Sequence, residues 1–418
     1  PSVRKTMSGF VTNTLSREEA LRTIAQQMRF PWPVAVREGI PIGEALGLAL
    51  GADVIAPEES PPFDRSLRDG YAVRSMDLIG TSDASPAFLA LRGEVPMGTV
   101  PLMDVGSEEA VLVHTGSAIP PGADSIVMLE DTSLAGNLLE VRKSVQKGEN
   151  LLLKGEEYGR GQRLARKGEI LDFRNIPALA SCGQATTVVC DLGIAVISTG
   201  DEIVPADTNH IEPGMIRDAN SFTIMANLAK AGFRSEFLGI VPDDPEKLKK
   251  AFNRALGEFD VVILSGGSSV SARDHSVLLL RELGGGKLIV RGLNISPGKP
   301  TIVSGDPARK KLGVCLPGHP HSCAVIASTF LVPLISSLIM GEPQDLFRKI
   351  LLTAGEDIIG RRGVEEFIPL KIGTEGEARP LWAKSGFLLG MGNSDGLIRL
   401  PENMETLRKG APVEVWLW

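Results

Sequence analysis

Two apolar runs stand out along the chain. Residues 194–197 lie within LGIAVISTGDEIV, and residues 261–264 within FDVVILSGGSSVSARD. Both are aliphatic and largely β-branched, without polar alternation, which is the pattern of strands buried on both faces of a parallel sheet. Each run stops at small residues and then presents acid. Ser198, Thr199, Gly200, Asp201 and Glu202 follow the first; Ser265, Gly266, Gly267, Ser268 and then Asp274 follow the second. From Leu192 onward, strands alternate with helices. Asp218-Ala219-Asn220-Ser221 caps a helix running to Ala231, with Gly232 as its stop. SEFLGIV is a strand. Asp243-Asp244-Pro245 opens a helix to Leu256, residues 274–283 form another, and residues 288–290, 301–303 and 312–316 are short strands. The apolar stretch 324–340 contains Pro333 and several hydroxyls, so it is read as a core helix and not a membrane span.

Before this α/β pattern the periodicity differs. Ser16-Arg17-Glu18-Glu19 is a capping box into a helix ending near Met28. Residues 41–50, with IGEALGLAL, carry a helical pattern that Gly51 would end, and residues 52–55 are extended. Asp69-Gly70 marks a turn into a strand at Tyr71-Ala72-Val73. Residues 88–166 show almost no helical period. Short β-like runs (FLALRGEV, AVLVHTG, SIVMLED, LLEVRKSV, ENLLLKGEE) are punctuated by Gly and Pro, as in a small barrel or sandwich. Residues 172–181 are helical, with Gly183 as stop, and a strand follows at 185–190; this piece returns to the first domain. After residue 341, strand-like runs recur to the C-terminus, as a separate β domain.

Composition narrows the function. With 418 residues the chain exceeds one ordinary core, and roughly three domains are expected from length alone. A net charge of −7 argues against non-specific nucleic-acid binding. Cys182, Cys190, Cys315 and Cys323 include no CxxC, which fits a reducing, cytoplasmic setting better than a disulfide framework or zinc ribbon. No signal peptide is read at the N-terminus.

The candidate chemistry sits in four loops: STGDE, SGGSSVSARD, SPGKP and LPGHPHS. Ligands of open α/β sheets bind outside the carboxyl ends of the strands, where the order reverses. Hydroxyls and backbone N–H groups there suit a phosphate, Lys299 suits an oxyanion, and Asp201, Glu202 and Asp274 suit a divalent cation. His319, His321 and Cys323 lack the spacing of a tetrahedral metal site. A Ser265, His275, Asp274 triad fails because adjacent helical residues do not face each other.

Taken in order, PPFDRSLRDGYAV, HTGSAIPPGADSIVMLED, GENLLLKGEEYGRGQ, ISTGDEIV, IRDANS, VPDDPEKL, LSGGSSVSARD, SPGKP, LPGHPHS and NSDGLIRLPE resemble the molybdopterin molybdenumtransferases, the MoeA family, to which the E domain of gephyrin is related. The resemblance covers residues 14–418. It implies an α/β plus β multidomain chain of four domains: 14–60 with 161–190 as a linker and dimerisation domain, 61–160 as an inserted β domain, 191–341 as a mostly parallel α/β molybdopterin-binding domain, and 342–418 as a C-terminal β-barrel-like domain. It also implies a homodimer whose active site joins the α/β domain to the partner's β domain. The implied reaction inserts molybdate into adenylylated molybdopterin and releases AMP, assisted by Mg2+. Molybdopterin adenylyltransferase and molybdoenzyme acceptors are the implied protein partners, with neither nucleic acid nor membrane involved.

By the same resemblance, Asp69, Thr115, Glu202, Asp274 and Lys299 are the catalytic positions. Ser198, Thr199, Gly200, Ser265, Gly266, Gly267, Ser268, Pro297, Gly298, Pro317, Gly318 and Pro320 line the pterin and anion pocket. Glu202, Asp243, Asp244 and Asp274 hold the metal. Glu157 stands where the family has aspartate. Departures cluster at the crevice: Arg65 and Arg68 add charge, Ser268 and Ser271 replace Val and Gly, Ser296 replaces a lysine, and His319 replaces an asparagine. These changes motivate the alternative of a paralogue that binds pterin cofactor or a partner protein without full transferase activity.

Overall fold

A computed structural model describes residues 14–266, 270–382, 384 and 386–418, the side chains of 270–274 excepted. The chain divides into two compact units. One comprises residues 14–52, Lys167–Phe173 and Thr186–Trp418; the other comprises Asp53–Arg166 and Arg174–Ala185.

In the first unit, the two apolar runs form the centre of a five-stranded sheet. Its strands in chain order are β1 (Ile194–Thr199), β2 (Glu236–Val241), β3 (Val261–Gly266), β4 (Ile302–Asp306) and β5 (Lys311–Leu316), and their spatial order is β2-β1-β3-β5-β4. All pair in parallel except the edge strand β4. The order reverses between β1 and β3, where Ser198 pairs with Ser265 and Thr199 with Gly266. This is the switch point at which α/β sheets bind ligands.

The helices follow their sequence signals, with one early start. Asp244 Oδ1 accepts the Glu246 and Lys247 amides at 3.0 and 2.9 Å and caps Pro245–Glu258. Asp218 Oδ1 accepts the Ser221 amide at 3.1 Å at the start of Asn220–Lys230, and Gly232 lies beyond its end at φ +80°. The helix expected at 274 begins at Val270 and runs to Leu283, which puts Asp274 in its second turn.

The apolar helix Pro320–Met340 is long and apolar enough to cross a membrane, yet 89% of that stretch is buried in the core. Its middle, Ala327–Leu331, widens into a π turn just before Pro333. Proline cannot donate to the Thr329 carbonyl four residues back. Arg17 Nη1 donates to it instead at 3.4 Å.

Residues 41–50 do not form the expected helix. They follow the strand Val36–Pro41 as successive turns. Only turn bonds such as Glu44 N–H to Pro41 O and Leu48 N–H to Ala45 O form within the segment, while Gly47 N–H bonds to Leu171 O, Ala49 N–H to Gly232 O and Leu50 N–H to Glu169 O outside it. Gly47 lies at φ +78°, a left-handed conformation that breaks a helix. Val36–Pro41 pairs antiparallel with Thr186–Cys190, the strand anticipated after Gly183.

The C-terminal residues build a six-stranded sheet whose path runs Ile295–Ser296, Glu365–Ile372, Gly396–Leu400, Pro412–Leu417, Arg348–Thr353. Its first strand comes from the SPGKP segment of the α/β domain, with Ile295 opposite Glu365 and Ser296 opposite Glu366. Buried Glu365 accepts Arg17 Nε at 3.2 Å and Arg399 Nε at 2.6 Å. Arg17 also lies 4.9 Å from the Trp416 ring. One carboxylate thereby joins the N-terminal helix Arg17–Met28 to the C-terminal sheet.

The second unit contains a six-stranded sheet ordered Ser125–Met128, Gly70–Val73, Glu109–Val113, Ala87–Val95, Leu138–Val141, Thr132–Ala135. Each β-like run noted between 88 and 141 contributes a strand. The predicted helix at 172–181 is shorter, Ile176–Ser181.

Candidate functional site

A cavity of about 570 Å3 opens at the switch point. Ser198, Thr199, Ser265 and Gly266 bring the ends of β1 and β3 to it, Gly318, His319 and Pro320 bring LPGHP, and Glu202 enters from STGDE. Three glycines are required by close approach. A Cβ on Gly266, at φ +139°, would lie 2.0 Å from Thr199 O. On Gly200, at φ +148°, it would lie 2.6 Å from Glu202 Oε2, and on Gly298, at φ +126°, 2.3 Å from Ile326 Cδ1.

Polar groups converge on the same cavity. Ser198 Oγ donates to Asp218 Oδ2 at 2.7 Å, and Asn220 Nδ2 donates to Gly318 O at 2.9 Å. Asn220 Oδ1, which is buried, has no partner among the described residues. Ile203, Ile211, Met215, Ile216 and Leu388 add apolar side chains to the same lining, and Arg217 adds a cation. Hydroxyls, a cation and aliphatic surface in one cavity suit a ligand with both an anionic group and a ring.

The structure separates SPGKP from this cavity. Ser296, Pro297, Gly298 and Lys299 line a second one, of about 330 Å3, with Asn294, Ser322, Arg361 and Val364. Pro320 and Ser322, two residues apart, line one cavity each. Pro317 is buried at the end of β5, outside both linings. Lys299 is exposed, while the loop behind it is fixed by Leu293 N–H to Lys299 O and by Thr301 Oγ1 to Gly298 O at 2.8 Å. The sequence reading missed Arg361. Its guanidinium donates to Ser296 Oγ, at the position where the family's first lysine is absent. RRGVEE reads as an ordinary charged turn, and only the pairing of residues 295–296 with 365–366 brings it to SPGKP.

The acidic positions differ in their surroundings. Asp243 N–H donates to Asp201 Oδ1 at 3.1 Å, and Asp243 Oδ1 is buried without a partner among the described residues. Burial, then the nearby Asp201 and Glu202 carboxylates, push the Asp243 carboxyl above its usual range, partly offset by His275. A half-desolvated acid among other acids is a place where a cation relieves repulsion. Asp244 has a different task, since its Oδ1 is the helix cap and those amide bonds, foremost that of Lys247, hold its pKa down. Gly267 and Ser268 lie outside the described residues, as does the Asp274 side chain. Among the described residues no three His, Cys, Asp or Glu side chains converge on one metal position. Cys323 is fully buried and its thiol is pushed far up by burial.

In the second unit, Asp69 and Thr115 come together: the Thr115 amide donates to Asp69 Oδ1 at 2.8 Å. His114 stands beside them, with Nδ1 3.8 Å from Asp69 Oδ1 and Nε2 2.8 Å from Glu94 Oε1. Glu157 accepts Ser60 Oγ at 2.8 Å.

The first unit thus holds a parallel α/β domain with a switch-point cavity and a C-terminal β sheet, and the second unit holds a further β sheet. The MoeA N-terminal region matches residues 15–183, a domain described as a probable molybdopterin binding domain matches 195–337, and the MoeA C-terminal region matches 352–418. The chain is 34% identical over 393 residues to a Methanocaldococcus jannaschii protein named for molybdopterin biosynthesis, covering 90% of this chain and 91% of that one. It is 29% identical to molybdopterin molybdenumtransferase 2 of Mycobacterium tuberculosis, covering 96% and 99%. A crystal structure of a molybdopterin biosynthesis MoeA protein from Pyrococcus horikoshii superposes with a TM-score of 0.76 at 32% identity, covering 97% and 99%. The chain belongs to the MoeA family.

Proposed function

We propose that the protein is a molybdopterin molybdenumtransferase, which joins molybdate to the dithiolene of adenylylated molybdopterin and releases AMP. The observation that carries the reading is the pairing of two cavities: one lined by hydroxyls and apolar side chains, the other by Lys299, Arg361 and the Ser296 and Ser322 hydroxyls. In a chain of net charge −7, two cations facing one small cavity are a local arrangement for a compact oxyanion.

In this reading the switch-point cavity takes the substrate's pterin and phosphate. Ser198, Thr199, Ser265 and the Gly266 backbone, continued by Gly267 and Ser268, hold polar edges, while Ile203, Met215 and Leu388 exclude water from the ring. Lys299 and Arg361 hold the oxyanion and stabilise charge that develops as the phosphoryl bond breaks. Glu202 and Asp243, with Asp274, would hold Mg2+, and Asp243 fits that role because its buried Oδ1 lacks a partner among the described residues. The cation would polarise the phosphoryl group. Asp69 and Thr115 complete the site from the partner in a homodimer. A cytoplasmic setting follows, with the adenylyltransferase supplying substrate and molybdoenzymes accepting product.

The test is AMP release from adenylylated molybdopterin with Mg2+, with and without molybdate, and with tungstate in its place. Oxyanion-dependent AMP release is expected. Release at the background rate in all three would overturn the assignment.

A further inference from the structure

Two glutamates stand side by side at the start of the strand Glu365–Ile372, both buried and both paired with arginine, Glu365 with two and Glu366 with one. Neighbouring strand residues point to opposite faces. Glu365 turns to Arg17 and Arg399 inside the molecule. Glu366 turns to the oxyanion cavity, where Arg361 occupies it fully. Glu366 Oε2 accepts the Arg361 amide at 3.0 Å, and Oε1 accepts Nε at 2.8 Å and lies 2.7 Å from Nη2. The same residue's backbone stands opposite Ser296 in the parallel pair, and Ser296 Oγ accepts from the same Nη2 that meets Glu366 Oε1, which leaves Nη1 outside both contacts.

We infer that Glu366 is a positioning residue for oxyanion binding: it grips the Arg361 guanidinium from behind and aims it at the cavity while its strand holds Ser296. The inference rests on the reading of that cavity as the oxyanion site. The Arg361 side chain is 63% exposed and the Glu366 side chain 11%. A long side chain at such a rim samples many rotamers when nothing holds it, and each ordered one is an entropic cost to binding. A buried carboxylate engaging both the backbone and the side chain of Arg361 removes that cost before the anion arrives. Glu366 touches no substrate and acts through Arg361.

The experiment measures molybdate binding by calorimetry, with molybdate alone as the probe, and molybdate dependence of AMP release. Wild type, Arg361→Ala, Arg361→Lys and Glu366→Gln are compared. Glu366→Gln and Arg361→Lys should each weaken molybdate by about tenfold, since a planar fork held at two points becomes a loosely held charge. In Glu366→Gln, KM for molybdate should rise accordingly while kcat at saturating molybdate stays near wild type, a split that general loss of structure does not produce; in Arg361→Lys, which alters a group in the site itself, kcat should fall as well. If Arg361→Ala weakens molybdate but both Glu366→Gln and Arg361→Lys bind as wild type, the positioning role is wrong. If Arg361→Ala itself binds molybdate as wild type, the cavity is not the oxyanion site and the underlying reading fails instead. Should Glu366→Gln not fold, Arg361→Lys at the exposed rim decides alone.

Discussion

Gly266 lies directly against Thr199 across the switch point, so close that a Cβ on Gly266 would fall 2.0 Å from the Thr199 carbonyl oxygen. The two residues are register partners of adjacent parallel strands. Their contact fixes the width of the crevice in which the phosphate and pterin are proposed to bind.

Gly266→Ala should therefore damage the site more than the fold. Backbone strain alone costs roughly 1–3 kcal/mol, and moving the strand end displaces Ser265 and the start of the SGG loop. Urea denaturation should register a loss of that order, with AMP release falling much further. Wild-type turnover in the variant would mean that the strand end does not shape the site.

Asp243→Asn should leave the fold intact and impair cation use. The carboxyl already resides above its ordinary range because it is half-buried beside Asp201 and Glu202, so the neutral amide costs the apo protein little. Losing a direct ligand should weaken Mg2+ at least as much as losing an outer-sphere partner, roughly tenfold. A Mg2+ titration of AMP release checks this; an unchanged half-saturation point would remove Asp243 from the metal site.

His321 provides a pH signature. It is buried in LPGHPHS, its Nδ1 lacks a partner, and burial holds the imidazole below its usual value of 6.5. The unfolded chain takes up this proton before the folded one does. The contribution to stability is thus present above about pH 6.5 and is lost as pH falls through the depressed folded value. Thermal melts between about pH 7.5 and 5 should show Tm falling in wild type and less steeply in His321→Asn. Identical slopes would assign the acid sensitivity to other groups.

Ser296→Lys should tighten molybdate binding. Ser296 lines the cationic cavity and contacts Arg361, so a lysine adds a third positive charge beside Lys299 and Arg361, whose guanidinium stays held by Glu366. The gain should fall as salt is raised, because the rim is solvent-exposed and screened within roughly 10 Å at 0.1 M. Calorimetry at two ionic strengths distinguishes this from an effect on folding. Equal affinity at low salt would count against an oxyanion in this cavity.

Glu365→Ala should be the most destabilising of these changes. It leaves Arg17, 6% exposed, and the partly buried Arg399 without their shared carboxylate, and breaking a buried pair from one side costs about 3–5 kcal/mol. A denaturant midpoint close to wild type would show that water or Glu18 and Glu414 replace it.

Much of this molecule was legible in its sequence, for physical reasons that differ by segment. The runs at 194–197 and 261–264 needed only their unbroken aliphatic character, and the Asp244-Pro245 helix start needed only local capping chemistry. The segment 41–50 misled because its apolar spacing suits a helix while its amides find partners at Leu171, Glu169 and Gly232, none of which is visible locally. Lys299 was evident from SPGKP. Arg361 was not, since 62 residues separate it from Lys299 and a two-residue strand pairing brings them to one cavity. The early start at Val270 lay in a stretch, SSVSAR, with weak helix propensity.

That strand pairing has a consequence for how the chain can be divided. The C-terminal sheet takes its first strand from residues 295–296, far upstream of the rest of that sheet. A shortened chain ending near residue 341 would leave the SPGKP loop with an open edge and without Arg361. A chimera carrying a relative's C-terminal domain would have to match Ser296 and Glu366 as a pair. The portable piece is the domain together with the loop it grips, and recombination at the apparent domain border would cut through the cavity proposed to hold the oxyanion.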